Sequence, residues 1–391
     1  MNKVGLAVVT YMRNYGSYLQ SFATQEVIKS LGYDTEVINI KGVEPIIGEA
    51  RRKYFMSKIF SASELKSYAV TLKGILKMKT DTIYAKKIKE RDTKYDAFRE
   101  RYTFSPVLNS WEEIGDYCRN NFSSVVVGSD QLWRPANIEG GYYTLEFVPE
   151  AVNKVSYSTS FGVKVLPSKQ AKKAQYFIPR INHLSVREES GRQLVKALTN
   201  LDARVVCDPT MLLTRDDWES YLPQESKWEG QKYILCYFLG QHEKYMEFAK
   251  RLGKKTGKKV VGLVHCSGYN SNVDKYMDEM PFDVGPLDFI DLIRNADCVL
   301  TDSFHCCVFS ILFHKDFFVF RRFSDTDRMS TNDRLSTLFS WTGIKNRLLE
   351  GDEVIVDSML IPIDYSEVDD RIEKMRKESK EFLELALKDG K

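Results

Sequence analysis

Residues 3–40, KVGLAVVTYMRNYGSYLQSFATQEVIKSLGYDTEVINI, carry the pattern that decides the fold. KVGLAVV (3–9) is a continuous apolar run typical of a buried strand, and DTEVINI (34–40) predicts a second strand. Between them, NYGSYLQSFATQEVIKSLG (14–32) predicts a helix that ends at Gly32. Strand, helix and strand in this order predict a βαβ unit with two parallel strands.

The same alternation continues along the chain and then restarts. Further strands are predicted at 124–129, 154–161, 183–187 and 203–209, with helices at about 168–181 and 188–198. A second series has strands predicted at 232–239, 259–264 and 297–301, with helices at about 242–256 and 286–295. Strands that alternate with helices indicate mostly parallel sheets covered on both faces.

The length of 391 residues exceeds what one ordinary core accommodates, so we predict two Rossmann-like α/β domains that face a cleft. The N-terminal domain is predicted at 1–214, with a basic helical insert at about 49–105. The C-terminal domain is predicted at 215–365. Residues 366–391 predict a long helix that packs back on the N-terminal domain.

Composition predicts a soluble globular protein, because 43% of the residues are hydrophobic and 28% are charged. No apolar run approaches the roughly 20 residues of a spanning helix, and VGLAVV (4–9) is too short for a signal-peptide core. We therefore expect a cytoplasmic protein. Its seven cysteines include no C-x-x-C pair, which argues against a disulfide framework or a zinc knuckle.

Basic residues are concentrated in residues 51–101, which hold fifteen Lys and Arg against six Asp and Glu. Within this stretch ELKSYAVTLKGILKMK (64–79) places apolar residues at helical spacing between lysines. An amphipathic basic helix suits the surface of an anionic membrane, which gives the hypothesis of peripheral membrane contact through 51–101. The alternative is a helical insert that packs on its own domain. No nucleic-acid-binding motif is present, so no nucleic acid partner is expected.

In such a fold, ligands bind at the carboxyl ends of the strands. TDSFHCCVFSILF (301–313) follows one strand, and its first residues favour a helix N-terminus, which suits a phosphate. Ser303 would add a hydroxyl donor and His305 a donor or general acid. Asp302 must then turn away from the phosphate, either to cap the helix or to orient the imidazole. The alternative is that these residues only cap the helix around a structural histidine.

We expect no metal site here, because consecutive helical residues splay apart and His305, Cys306 and Cys307 cannot converge on one ion. The D-x-D spelling at Asp325 and Asp327 is only a weak metal signal in a charged loop.

Two other strand exits carry candidate ligand-binding residues. GSDQLW (128–133) combines a carboxylate, an amide and an indole, which suits a sugar; its alternative is a capped turn whose Trp133 covers the core. In SVREESG (185–191), Arg187 can bind a carboxylate or phosphate at two points. Its alternative is a surface ion pair with Glu188 or Glu189. Arg321 and Arg322 leave a further strand, and one of them is expected to face the cleft.

These stretches, in this order, resemble the polysaccharide pyruvyl transferase family, from about residue 3 to about residue 350. The resembling segments are NYGSYLQ, GSDQLW, VSYSTSFG, LSVREESG, DPTMLL, PLDFIDLIRNAD and TDSFHCCVFSILF. The resemblance implies a two-domain fold like that of the GT-B glycosyltransferases. One departure is Cys306, where such proteins usually have glycine after the histidine, and a side chain there is expected to narrow the approach to the helix N-terminus.

The resemblance also implies a reaction, in which an enolpyruvyl-derived unit moves from phosphoenolpyruvate to two hydroxyls of a sugar as a ketal, with release of phosphate. The setting that it implies is the biosynthesis of a bacterial surface polysaccharide, an exopolysaccharide or capsule. Phosphoenolpyruvate is then a co-substrate and no other cofactor is expected. The acceptor sugar is expected on a polyprenyl diphosphate at the cytoplasmic face of the membrane. Two alternatives stay open: a GT-B glycosyltransferase that uses a nucleotide sugar, and a non-catalytic sugar-binding relative.

The chemistry of this reaction assigns roles to the candidate residues. A donor that carries both a carboxylate and a phosphate needs several cations or N–H donors. His305 is the expected acid and Asp130 the expected base for the acceptor hydroxyl, with Asp208 behind it. The remaining expected binding residues are Arg187, Ser303, Arg321 and Arg322 for the donor, and Asn14, Tyr15, Gln131 and Trp133 for the acceptor.

Overall fold

The computed structural model describes residues 2–57, 76–240, 242–263, 275–322 and 333–390. These residues form two parallel β-sheets covered by helices, which confirms the α/β class and the two Rossmann-like domains. Most of the stripe at 65–76, and both Asp325 and Asp327, lie outside the described residues.

The N-terminal sheet has six strands in the order β2-β1-β3-β4-β5-β6. Its strands are β1 (Lys3–Ala7), β2 (Asp34–Val37), β3 (Ser124–Val127), β4 (Asn153–Thr159), β5 (His183–Val186) and β6 (Arg204–Val205). All neighbours are parallel, and Val4 of the first strand pairs with both Thr35 and Ser124. The central strand β3 is buried at every position, as a strand covered on both faces must be.

Several helices with described bounds precede the second sheet. They are α1 (Tyr15–Ser30), α2 (Glu44–Met56), α3 (Thr82–Arg99), α4 (Trp111–Asn121), α5 (Pro135–Gly140), α6 (Ser168–Phe177), α7 (Glu189–Thr199) and α8 (Arg215–Glu219). The last predicted strand, 203–209, is shorter than expected. Asp208 accepts a hydrogen bond from the Thr210 backbone and begins a 3-10 turn at Pro209–Met211, which ends the extended segment.

The C-terminal sheet has five parallel strands in the order β11-β10-β9-β7-β8. Its strands are β7 (Tyr233–Tyr237), β8 (Lys259–Leu263), β9 (Cys298–Thr301), β10 (Asp316–Phe320) and β11 (Leu348–Leu349). The helices that follow α8 in the described residues are α9 (Glu243–Thr256), α10 (Pro286–Asn295), α11 (Phe304–Leu312), α12 (Asp333–Thr342) and α13 (Ser366–Lys388).

Helix α1 joins the two domains. Its first residue, Tyr15, is fully buried, and its ring stacks on Phe289 of α10 at a centroid distance of 4.7 Å. The Tyr15 hydroxyl donates to the Val284 carbonyl at 3.1 Å. The start of α1 is therefore held against the C-terminal domain at the point where the carboxyl ends of both sheets meet.

The C-terminal helix α13 packs on both domains. Ser379 Oγ accepts from the Cys207 backbone N–H at 3.0 Å, and the Ala386 carbonyl accepts from Asn153 Nδ2 at 2.8 Å. Near its start, Asp369 pairs with His314 of the C-terminal domain at 2.9 Å. The helix thus connects the end of the chain to the N-terminal sheet.

Candidate active site

Arg187 lies at the centre of a charged cluster at the carboxyl ends of β3, β5 and β6. Its side chain is 1% exposed. Nη1 donates to Asp208 Oδ2 at 2.7 Å, and Nη2 lies 3.5 Å from Asp130 Oδ1. Arg187 Nε also lies 3.9 Å from Glu188 Oε2, but the two side chains are only 1% and 4% exposed, so the alternative of an ion pair on the surface is wrong. Arg187 is instead a buried cation between two carboxylates.

Asp208 is completely buried and holds several donors in place. Its Oδ2 accepts from Ser129 Oγ at 2.9 Å as well as from Arg187, and its Oδ1 accepts from Thr210 Oγ1 at 2.8 Å. The Oδ2 atom also lies 3.4 Å from Nε2 of His305, which belongs to the other domain. Burial alone would raise the pKa of Asp208, but the positive charges of His305 and Arg187 outweigh it and lower the pKa.

Asp130 is the cluster carboxylate that solvent reaches, with 20% of its side chain exposed. Its backbone has a left-handed φ of 75°, which non-glycine residues rarely adopt and which is often found at functional sites. The Ser160 backbone N–H donates to the Asp130 carbonyl at 2.9 Å, and Ser17 Oγ of α1 donates to Oδ2 at 2.8 Å. Burial would raise the pKa of Asp130, whereas the charges of Arg187 and His305 lower it, and the net shift is downward.

His305 reaches this cluster from the first turn of α11, and its side chain is 8% exposed. Its ring packs on Gly16 of α1, where an added Cβ would lie 2.1 Å from Nδ1. Ser303 is the N-cap of α11 and accepts from the Cys306 backbone N–H at 3.5 Å. Sequence reasoning expected Asp302 to cap this helix or orient the imidazole, and both expectations are wrong. Its carboxylate accepts from the backbone of the loop after β7, at Leu239 and Gly240.

Sequence reasoning missed Arg334, the second residue of α12. Phe304 lies between two guanidinium groups, with Arg187 Cζ 4.6 Å and Arg334 Cζ 5.6 Å from its ring centroid. Burial and repulsion from Arg187 lower the pKa of Arg334 to about 9. Arg334 could have been predicted from one sequence feature. It is a basic residue at the start of a helix that follows the end of a strand.

The two adjacent arginines after β10 have different neighbours. Arg321 Nε pairs with Glu350 at 3.1 Å. The charge of Arg322 acts on Arg334, and it also opposes the rise in pKa that burial causes at Asp302. Arg321 is therefore directed to Glu350, and that Arg322 faces the cleft stays a prediction.

Arg134 is a further cation that the sequence analysis did not single out. It follows Trp133, and solvent reaches its side chain. Surrounding protein and repulsion from Arg322 together lower the pKa of Arg134. A cation of the N-terminal domain thus lies near a cation of the C-terminal domain across the cleft.

Two expected acceptor-binding residues lie in the interior, so those assignments are wrong. Trp133 is fully buried, packs against Phe161 and Phe177, and donates from Nε1 to the Tyr143 carbonyl at 3.0 Å. Its ring faces are therefore covered by core side chains. Tyr15 is buried at the contact between the domains, as described above.

The other two acceptor candidates lie near the cluster. Asn14 is the N-cap of α1, and its Oδ1 accepts from the Ser17 backbone N–H at 3.1 Å. Gln131 is half-buried beside Asp130, and its Nε2 is buried with no hydrogen-bond acceptor among the described residues.

Cys306 does not narrow the approach to α11, contrary to the expectation. Its side chain is fully buried in the main hydrophobic core, and burial raises the pKa of its thiol to about 12. Among the described residues, no group of three or more His, Cys, Asp and Glu side chains is placed to hold a metal ion. In the same part of the chain, no helix is long and apolar enough to cross a membrane.

Comparison with solved structures finds similar chains at low sequence identity. A Listeria monocytogenes protein assigned as a UDP-N-acetylglucosamine 2-epimerase aligns with a TM-score of 0.50 and 12% identity, over 98% of this chain and 90% of that one. A glycosyltransferase from Rickettsia africae has a TM-score of 0.49 and 11% identity, over 99% and 96% of the two chains. UDP-GlcNAc 2-epimerase from Neisseria meningitidis, bound to UDP-GlcNAc, has a TM-score of 0.48 and 11% identity over 98% of each chain.

Comparison of sequences identifies the family. No curated protein matches the chain. The family model for polysaccharide pyruvyl transferase matches residues 14–324, which is well over half of the chain and spans the cluster from Asn14 to Arg322. The chain therefore belongs to the polysaccharide pyruvyl transferase family.

Proposed function

We propose that this protein transfers pyruvate from phosphoenolpyruvate to two hydroxyls of one sugar as a ketal, in the biosynthesis of a bacterial surface polysaccharide. Membership of the family supports the pyruvyl transfer. The charged cluster between the two domains is the site of the reaction, and phosphoenolpyruvate is the only co-substrate. Nothing in this site calls for a further cofactor.

The observation that carries the proposal is a set of buried nitrogens whose hydrogen bonds are incomplete. Nε and Nη2 of Arg187 and Nε2 of His305 are all buried. Their carboxylate neighbours Glu188, Asp130 and Asp208 lie at 3.9, 3.5 and 3.4 Å, and none of these nitrogens makes a hydrogen bond among the described residues. Buried polar groups without a hydrogen bond are rare in proteins and commonly bind a ligand or water. A small anion that touches both side chains would satisfy them, and phosphoenolpyruvate carries two anionic groups.

Additional cations support an anionic donor at this place. Arg322 and Arg334 reach the cleft from the C-terminal domain, and the repulsion that lowers the pKa of Arg334 is relieved when an anion binds between the guanidinium groups. Ser303 and the free N–H groups at the start of α11 favour a phosphate on the same side. We therefore assign the donor to Arg187, Arg322, Arg334 and Ser303, and leave Arg321 out.

The chemistry requires one acid and one base. His305 protonates the methylene carbon of phosphoenolpyruvate, which leaves a cation on the adjacent carbon, stabilised by the bridging oxygen attached to it. The first sugar hydroxyl adds to this oxygen-bearing carbon and loses its proton to Asp130. Phosphate then leaves with the original bridging oxygen, and the second hydroxyl adds in its place. Its proton is released with the phosphate, so that one ketal and one phosphate form.

Asp130 suits the base role although its pKa is lowered. A hydroxyl that has bonded to a cationic carbon is strongly acidic, so a weak base suffices to take its proton. Asp208 is fully buried and already accepts from Arg187, Ser129 and Thr210. We therefore propose that Asp208 positions His305 and Arg187 and does not contact the substrates.

The test is release of phosphate from phosphoenolpyruvate in the presence of galactosyl and N-acetylmannosaminyl acceptors. We expect release that depends on both substrates, with formation of a pyruvylated sugar detected as a mass increase in the acceptor. A protein that binds nucleotide sugars saturably and does not bind phosphoenolpyruvate would instead be a GT-B glycosyltransferase. A protein that binds the sugar but releases no phosphate with any acceptor would be a non-catalytic relative.

We also propose that residues 51–101 hold the enzyme at an anionic membrane surface, where a sugar on a polyprenyl diphosphate is presented on the cytoplasmic side. Helix α3 buries Tyr84, Tyr95 and Phe98, of which Tyr84 packs on Phe282 of the C-terminal domain, and the exposed side of the same helix carries lysines. Met56 and Ile83 are 77% and 70% exposed within the same stretch. A basic surface with exposed apolar side chains suits an anionic interface.

Sedimentation with vesicles tests this proposal. We expect the protein to pellet with anionic vesicles at low salt and to be released at high salt, because each Lys or Arg near the surface contributes about 1 kcal/mol that salt screens. Neutral vesicles serve as the control. Equal recovery in the supernatant with anionic and neutral vesicles at both salt concentrations would show that the basic stretch only solvates its own domain.

A further inference from the structure

A second cavity lies on the same edge of the N-terminal sheet, between the ends of β1 and β2. Its volume is about 210 Å³, and its lining includes Thr10, Arg13, Lys41 and Arg99. Pockets for whole drug-sized ligands measure about 300–1,000 Å³, so this cavity has room for one compact group. None of these residues belongs to the donor site described above.

The charge of the cavity is positive. Arg13 is paired with Asp96 at 2.6 Å, whereas Lys41 and Arg99 have no carboxylate partner among the described residues. The Nε atom of Arg99 is buried and has no acceptor in that part of the chain. The other lining carboxylate, Glu44, is exposed in the first turn of α2, where a negative charge stabilises the helix. Two unpaired cations therefore face the cavity against one exposed carboxylate.

Lys41 and Arg99 belong to segments whose backbone is held by neighbouring contacts. The guanidinium of Arg99 lies 4.4 Å from the ring centroid of Phe104. Phe104 is itself fixed beside β2, since Val37 bonds to the backbone of the residues on either side of it. Lys41 precedes Gly42, which packs so closely on the Leu108 carbonyl that an added Cβ would lie 2.1 Å from that oxygen. The cavity is thus shaped before a ligand binds, which lowers the entropic cost of binding.

The cavity is close to the proposed acceptor base. Thr10 and Arg13 lie in the loop between β1 and α1, and Tyr18 in the first turn of α1 also lines the cavity. The neighbouring Ser17 donates to Asp130 from that same turn. One helical turn spans about 5 Å, which is comparable to the width of a sugar ring. A sugar that binds Asp130 through its hydroxyls and lies along this turn would extend its anomeric substituent into the cavity.

We propose that this cavity binds the diphosphate of a glycosyl diphosphate acceptor, an inference that rests on the proposed function. Lys41 and Arg99 hold the diphosphate while the sugar lies between the cavity and Asp130. The enzyme then acts on an activated sugar, before that sugar is transferred into the polymer. The reaction that consumes its product is accordingly a glycosyl transfer in which the diphosphate leaves.

Binding of inorganic pyrophosphate, measured by calorimetry without phosphoenolpyruvate, tests the site apart from the reaction. We expect one binding component to weaken at least about tenfold in both Lys41→Gln and Arg99→Gln, because each loses a charge-assisted contact. Arg204→Gln and Lys172→Gln are matched controls at exposed positions elsewhere in the domain and should leave that component unchanged. Arg334→Gln should also leave it unchanged, since Arg334 belongs to the donor side.

The result that overturns the proposal is that no component of pyrophosphate binding weakens in Lys41→Gln or in Arg99→Gln. Lys41 is exposed, so its variant is informative even if Arg99→Gln proves unstable.

A second comparison measures the binding of one sugar in three forms: as a nucleoside diphosphate, as a short polyprenyl diphosphate and as a methyl glycoside. If either diphosphate binds more tightly than the methyl glycoside, and this advantage is lost in Lys41→Gln, the result supports the site. The diphosphate that binds more tightly identifies the source of the group. Equal affinity for the methyl glycoside contradicts it. If the protein did not transfer pyruvate, these binding results would be unaffected. Failure of the proposed function is therefore distinguishable from failure of the proposed diphosphate site.

Discussion

Replacing His305 by Ala is expected to lower kcat for phosphoenolpyruvate-dependent transfer by about 10²- to 10⁴-fold, the usual contribution of a general acid. Nε2 of His305 is a buried nitrogen 3.4 Å from Asp208 Oδ2, and it makes no hydrogen bond among the described residues. The fold should tolerate the change, because Asp208 keeps its bonds to Arg187, Ser129 and Thr210. We expect the free energy of unfolding to fall by only about 1–3 kcal/mol.

Steady-state kinetics and thermal unfolding of the same preparation provide the measurement. The matched control is His183→Ala, because His183 begins β5 at the opposite edge of the sheet and pairs there with Asp389 at 3.1 Å. That variant should keep the activity of the unchanged protein. If His305→Ala turned over at a normal rate while folded, His305 would not be the acid and the mechanism would be wrong.

Replacing Gly16 by Ala is expected to lower kcat by about 10²-fold through displacement of the His305 ring. An added Cβ would lie 2.1 Å from Nδ1 and 2.5 Å from Cγ of that ring, so the imidazole must move. A catalytic group displaced by about 1 Å can cost 10²-fold in rate. Alanine favours a helix over glycine by about 1 kcal/mol, so weaker helix formation cannot explain such a loss. Gly16 is in this sense a positioning residue.

Gly48→Ala is the matched control for this experiment. Gly48 lies within α2, and an added Cβ there meets nothing within 4 Å. This variant should be slightly more stable and fully active. A readout specific to His305 is the NMR signal of its imidazole, which we expect to shift in Gly16→Ala and to stay in place in Gly48→Ala. A Gly16→Ala variant with normal kcat and an unmoved imidazole signal would show that the ring has more room than the structure indicates.

The sequence predicts the fold and the members of the cluster for one physical reason. Buried parallel strands are continuous apolar runs, and their carboxyl ends gather at one edge of each sheet. Polar residues directly after such runs, as at Asp130, Arg187 and His305, are therefore expected to lie near one another. The structure brings these side chains together from both domains.

Residues next to these positions could not be assigned in the same way. An indole one turn after a strand is as compatible with the core as with a sugar, and packing against Phe161 and Phe177 places Trp133 in the core. Cys306 follows His305 directly, yet the 100° rotation of each helical residue turns its side chain into the core. Local sequence does not show which face of a helix or turn will be buried by the rest of the protein.

By itself the sequence determined the strand and helix order, the family pattern and the strand exits that bear charge, because these depend on periodicity and on residue type along the chain. Only the tertiary structure decided that Arg334 approaches Arg187 across Phe304, that Gly16 leaves room for His305, and that Lys41 and Arg99 share one cavity. Each of these contacts joins segments far apart in the chain. Their distances are set by how helices pack on sheets and how the two domains meet, and no local pattern encodes such packing.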